Sequence, residues 1–296
     1  MQLEDTFEVV SRSIVAFISR GTVRGASDPP PQFPPIFGTG FVVHESGIVA
    51  TNRHVIDAFR HVPRHPATGE WALAAAMFFP DVKAGAKGQR ILVVQIRDFV
   101  VLNTFSSSAE WYGSQVPDLG FVRLNMQGVP ALSLATDDFY VRPGMDIATA
   151  GFPLGDLPMT MFGNKINQLM PLLRRGIVSS VFPFTGVPQP HGFTIDILQQ
   201  GGSSGSPIFR CDAPLVVGMM TASLTQLVSA TGESAEIALR LPTNISIAEE
   251  SAHISAALKT YLGQQPVDVA GVPTLDDRLR DDPTTELNWS AFRREI

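Results

Sequence analysis

Short apolar runs broken by Gly and Pro fill this sequence, and they restrict the fold more than any other feature. Gly38-Thr39-Gly40-Phe41-Val42-Val43 is followed by His44-Glu45-Ser46-Gly47 and then by Ile48-Val49-Ala50. Two β-rich runs around a turn that ends in Gly signal a hairpin. Further β-like runs lie at 91–102, 119–124, 132–134, 146–150, 176–181, 193–197, 208–209 and 215–220. Helical spacing is clearest late, at 246–262, where Ile247, Ala252, Ile254, Ala257, Leu258 and Leu262 share one face. Many short strands and one late helix predict an antiparallel all-β domain such as a barrel pair. Residues 6–19 fit either a strand or a short helix. Residues 27–35 hold five prolines and read as an irregular loop, and 57–89 read as a long surface insertion.

The chain has 296 residues, enough for a sizeable core, and 44% of them are hydrophobic, so it is globular rather than disordered. Its net charge of −6 gives no reason to expect nucleic acid or an anionic membrane as a partner. One cysteine, Cys211, excludes an internal disulfide. The start, Met1-Gln2-Leu3-Glu4-Asp5, has neither a basic nor an apolar leader region, and no apolar stretch is long enough to span a bilayer. The expected compartment is the cytoplasm. From Gly263 the character changes, and 263–296 reads as a charged tail around Asp276-Asp277-Arg278-Leu279-Arg280-Asp281-Asp282, either solvated or docked to a partner.

Three stretches carry chemistry. Gly201-Gly202-Ser203-Ser204-Gly205-Ser206-Pro207 is a Gly-rich turn that exposes a serine hydroxyl. Such a turn also aims consecutive backbone N–H groups into one hollow. A serine nucleophile needs a base to take its proton, and the oxyanion formed on attack needs preorganised donors. Ser204 is the candidate nucleophile, with the amides of Gly202 and Ser204 as oxyanion donors. Taken alone, the heptapeptide fits a flexible linker equally well. Upstream, Thr51-Asn52-Arg53-His54-Val55 places His54 at the end of an apolar run, suited to a fixed base. Asp118 leads directly into the run 119–124, where a carboxylate must find donors. Core or surface histidines and turn-capping aspartates are the ordinary alternatives. No metal cluster is seen: His61 and His65 are four apart, but Pro63 between them breaks the helix such a pair needs, and no cofactor is expected.

In the order His, Asp, Ser, these stretches resemble the chymotrypsin-fold serine peptidases, and within them the HtrA (Deg) branch. The Gly-Thr-Gly-Phe hairpin, Thr-Asn-Arg-His-Val, Asp118-Leu119-Gly120-Phe121-Val122 and the serine loop match that branch in order. Gly151-Phe152-Pro153-Leu154-Gly155 and Gly176-Ile177-Val178-Ser179 resemble its later turn and strand. The resemblance covers about 38–262. It implies two six-stranded antiparallel β-barrels, about 1–130 and 131–245, a C-terminal helix at 246–262, and a site in the cleft between them. It implies His54 as general base, Asp118 as its orienting partner, Ser204 as nucleophile and Gly202 and Ser204 as the oxyanion hole, acting on a protein or peptide substrate. Leu198 then falls at the base of the S1 pocket. Met220, Thr221, Ala222 and Ser223 form its wall and pair with substrate backbone. No carboxylate lies there, so small or medium aliphatic P1 residues are expected in place of Lys or Arg.

The sequence departs from that pattern in four places. Ser203 stands where zymogen-activated relatives carry Asp. Ser206 replaces a Gly. The loop 156–175 is long and rich in Met, Phe and Leu, which suits a lid, a substrate wall or a surface for a regulatory partner. The about 34 residues after the helix are too few for a PDZ-like domain. A second reading is a catalytically silent scaffold or sensor on the same fold. An α/β-hydrolase esterase is disfavoured, because that fold places its histidine last and alternates strands with helices.

Overall fold

The computed structural model describes residues 1–19, 36–59, 61–62, 73–81, 88–102, 117–136, 138–153, 159–161, 164–166, 170–186, 190–231, 236–264 and 267–281. The barrel pair expected from the sequence is present. The first barrel contains β1 (Ile14–Ser19), β2 (Ile36–His44), β3 (Ile48–Thr51), β4 (Leu73–Asp81), β5 (Gly88–Val101) and β6 (Gly120–Leu124). It closes in the order β1-β2-β3-β6-β5-β4, every pair antiparallel. A short helix, α2 (Arg53–Phe59), plugs one end and buries Val55, Ile56 and Phe59 among Phe17, Val49 and Val122.

The second barrel contains β8 (Asp146–Gly151), β11 (Leu172–Phe182), β12 (Gly192–Ile195), β13 (Pro207–Arg210), β14 (Leu215–Thr231) and β15 (Glu236–Glu250). The order β13-β8-β11-β12-β15-β14 closes because β13 also pairs with β14. β7 (Ser133–Leu134) adds in parallel to β14. Ile147, Val178, Phe193, Ile195, Ile208 and Val217 fill this barrel. A third cluster joins the two barrels: Ile14, Phe41 and Phe121 from the first meet Ala148, Phe152, Phe209 and Met219 from the second. Closure removes free sheet edges from both barrels.

Several local expectations are corrected. Residues 6–19 are both of the alternatives in turn: α1 (Leu3–Ser11), then β1. The insertion expected at 57–89 contains β4, a barrel strand. Its Leu73-Ala74-Ala75-Ala76-Met77 run is buried between β1 and β5. The late helix is α3 (Ser251–Gln264), and 246–250 belong to β15. Within the expected loop 156–175, β9 (Met159–Met161) and β10 (Asn164–Ile166) form a hairpin, and 172–175 already belong to β11. The side chains of 154–169, including Met159, Met161 and Phe162, lie outside the described residues.

The charged tail is docked over part of its length. α4 (Leu275–Asp281) starts at Thr274, whose Oγ1 accepts from Asp277 N at 3.1 Å while Thr274 N donates to Asp277 Oδ2, also at 3.1 Å. This reciprocal pair is a capping box. Leu275 and Leu279 pack on the first barrel, and Gln127 N donates to Pro273 O at 3.0 Å. The charge run hid a helix with one apolar side. Residues 282–296 are outside the described residues. No helix among the described residues is long and apolar enough to cross a membrane.

Candidate active site

His54 lies in the first turn of α2, just after β3 ends, so the barrel wall fixes its backbone. Its side chain is 50% exposed and faces solvent. Asp118 precedes β6, the strand next to β3, and it grips His54 twice. Asp118 Oδ2 meets His54 Nδ1 at 2.6 Å, and Oδ1 accepts from His54 N at 3.0 Å. Both carboxylate oxygens are therefore used on one residue, and the ring is held with Nε2 pointing away from the carboxylate. Asn52, fully buried, holds the Asp118 backbone in turn: its Nδ2 donates to Asp118 O at 3.0 Å and reaches Thr221 Oγ1 at 3.4 Å.

The serine loop comes from the second barrel, between β12 and β13. Gly202 and Gly205 adopt φ of +87° and +83°. A Cβ on Gly205 would lie 1.9 Å from Thr39 O, so the loop passes the first barrel too closely for any side chain there. Thr39 of β2 ties the loop down: its N donates to Ser204 O at 2.9 Å and its Oγ1 to Gly202 O at 2.8 Å. Phe152 N donates to Thr39 Oγ1 at 3.1 Å, and Thr51 Oγ1 donates to Thr39 O at 2.7 Å. These bonds fix the Gly202–Ser203 and Ser204–Gly205 peptide groups, whose N–H groups donate to Gln200 O at 3.0 Å and Met220 O at 2.9 Å. Neither Gly202 N nor Ser204 N donates a hydrogen bond among the described residues. Unpaired backbone N–H groups are the kind of donor that an oxyanion requires.

Hydrogen bonds through Asn52, Thr221 and Gln199 link Asp118 of the first barrel to Ser204 of the second. The structure does not join His54 to Ser204. Among the described residues Ser204 Oγ accepts from Gln199 Nε2 at 3.0 Å, and His54 Nε2 makes no hydrogen bond to it. Gln199 Nε2 also donates to Thr221 O at 3.3 Å. Arg174, on β11, holds the approach to the serine from behind. Its Nη1 donates to Leu198 O and its Nη2 to Gln200 Oε1 at 2.8 Å, and burial draws its guanidinium below its ordinary pKa. The buried Ser203 and Ser206 line a small recess beside Arg174, Thr149 and Gly151. Ser206 Oγ lies where a Cβ on Gly151 would stand, so the bare Gly151 makes room for the extra hydroxyl.

Of the expected substrate wall, Thr221, Ala222 and Ser223 are half-buried along β14, and Leu198 turns its carbonyl to Arg174. Met220 is corrected. Its N donates to Ser206 O and its O accepts from Gly205 N, both at 2.9 Å, so its backbone is consumed by the serine loop and cannot pair with substrate. Thr39, Asn52, Arg174 and Gln199 were not singled out in the sequence. Asn52 and Thr39 stood inside quoted motifs, and a buried polar residue beside a candidate base was the available signal. Arg174 and Gln199 gave none.

The family model of the trypsin-like peptidase domain matches residues 38–219, more than half of the chain. No curated protein sequence matches it. Among solved structures, an HtrA-type protease, AlgW with a decapeptide, superposes with a TM-score of 0.53 at 14% identity, over 89% of this chain and 68% of that one. A serine endoprotease from Yersinia pestis gives 0.49 at 14% identity, over 89% and 67%. At such identity the likeness to AlgW speaks to the fold, and it is the two-barrel fold built above. Fold and family model agree, and the chain belongs to the trypsin-like peptidase domain family, whose reaction class is that of a serine endopeptidase.

Proposed function

We propose that the chain hydrolyses peptide bonds with His54, Asp118 and Ser204 as its triad. The observation that carries this reading is the double grip of Asp118 on His54, at 2.6 and 3.0 Å, beside a serine loop with two unpaired amides. Asp118 fixes the tautomer with the proton on Nδ1, which leaves Nε2 as the base. His54 takes the proton of Ser204 as Oγ attacks the scissile carbonyl carbon. The Gly202 and Ser204 amides receive the oxyanion. His54⁺ then gives its proton to the departing amine, and a water activated by the same imidazole releases the acyl group.

Thr221 to Ser223 offer the edge of β14 to the substrate backbone, and Leu198 lies below the P1 residue. With no carboxylate at Leu198, small or medium aliphatic P1 side chains are favoured over Lys or Arg. The 156–175 loop and the tail are the proposed places for a regulatory partner. One observation favours the silent-scaffold reading: Ser204 Oγ is bonded to Gln199 and not to His54. A fluorophosphonate probe separates the two. Labelling of the wild type that vanishes in Ser204→Ala is the expected result. Folded wild-type protein that stays unlabelled supports the scaffold.

A further inference from the structure

Gln199 is buried, only 9% exposed, and its amide lies against the candidate nucleophile. Its Nε2 spans from Ser204 Oγ, at 3.0 Å, to Thr221 O, at 3.3 Å. Its Oε1 is buried and has no hydrogen-bond partner among the described residues. An unpaired buried acceptor is unfavourable, so the surroundings must hold the side chain there. Arg174 supplies that hold by fixing the residues on both sides, Leu198 through its carbonyl and Gln200 through its amide.

The place of this amide has a consequence for substrate. Attack brings the scissile carbonyl carbon to roughly 3 Å from Ser204 Oγ, and the P1 Cα is one bond further on. With the substrate backbone along Thr221 to Ser223, the P1 side chain leaves that Cα between the segment 198–200 and the β14 edge. Gln199 already bridges that gap. Resting on the assignment of Ser204 as nucleophile, we propose that Gln199 is a resident occupant of the P1 side-chain site. It sets how large a P1 residue can be, and its amide restrains Ser204 Oγ. Small P1 side chains fit beside the amide. A long one must push it aside, which leaves Nε2 as well as Oε1 without a partner in a buried place. This narrows the aliphatic preference to its small end. It also makes Gln199 a positioning residue for the nucleophile.

The test uses a peptide series with Ala, Val, Leu or Phe at P1, run on the wild type, Gln199→Ala and Gln199→Met. A fluorophosphonate probe with no P1 side chain is run beside it. In the wild type kcat/KM falls at least about tenfold from Ala to Leu. In Gln199→Ala the order inverts toward Leu and Phe. Met keeps the length of the side chain without the donor, so Gln199→Met keeps the size limit while its probe labelling rises about fivefold. A wild type that cleaves after Leu as readily as after Ala overturns the proposal, as does an unchanged P1 order in Gln199→Ala. Failure of the nucleophile assignment looks different: neither the wild type nor either Gln199 variant is labelled or cleaves any peptide, and the proposal falls with it.

Discussion

Gly205 concentrates the demands of the site in one residue. Its φ of +83° is expensive for any side chain, and an added Cβ would lie 1.9 Å from Thr39 O and 2.5 Å from Thr51 Oγ1. Gly205→Ala is expected to cost about 3 kcal/mol of stability and to abolish probe labelling, because the loop must move off Thr39. Thermal unfolding and labelling, measured on the same preparation, check both parts. A stable, labelled variant would show that Thr39 does not hold the loop. At this scale the sequence was legible where chemistry is local. His54 and Asp118 could be singled out because each borders its own short motif. Gln199 and Thr39 were not, because their roles come from partners that only the fold brings near: Thr39 meets Gly202 across 163 positions.

Among the elements, α4 shows how charge conceals structure. Leu275 and Leu279 form its apolar side, but five of its seven residues are charged and read as a solvated run. The Thr-x-x-Asp cap was written in the sequence at Thr274 and Asp277, yet a cap without an apolar run beside it gives a weak signal. The Thr274 hydroxyl and amide hold the Asp277 carboxyl below the usual carboxylate range. A depressed folded-state value adds stability at neutral pH that is lost as pH falls through that value. The hydrogen-exchange protection factor over 268–281, taken against the intrinsic rate at each pH, is therefore expected to fall on acidification. In Thr274→Ala protection drops about three- to tenfold at neutral pH and changes little further with acid. Equal exchange in the two proteins would mean that packing alone holds the helix. β4 was missed for the opposite reason: its alanines carry little β propensity, and only the closed barrel gives them a strand's place.

Across the whole molecule, the ends of the chain cross over. α1 begins the chain but rests on the second barrel, where Thr6 Oγ1 donates to Cys211 O at 3.1 Å, while β1 goes on into the first. α3 leaves the second barrel and sets Tyr261 against Phe121 of the first, ring centres 5.7 Å apart, and α4 ends on the first barrel as well. Phe152 sits at the junction, fully buried, 5.2 Å from the ring of Phe78. Its removal leaves a cavity that touches both halves, so Phe152→Ala is expected to cost about 3–5 kcal/mol and still to unfold in a single calorimetric transition. Two separated transitions would mean that the barrels are independent units. The all-β barrel pair was legible in the run lengths and turns. The crossing of the ends was not, because it depends on which surface each helix finds after the barrels close.

Thr39 gives this arrangement a further meaning. The residue belongs to one barrel, yet it decides which way the peptide groups of the other barrel's serine loop face. The shape of the Ser204 loop is therefore the property of neither half. It behaves as a coincidence detector: a half-assembled chain can own a histidine or a serine, but only the docked pair fixes the loop that carries the serine. If Ser204 is the nucleophile proposed above, its chemistry becomes available only at the same moment as the finished shape.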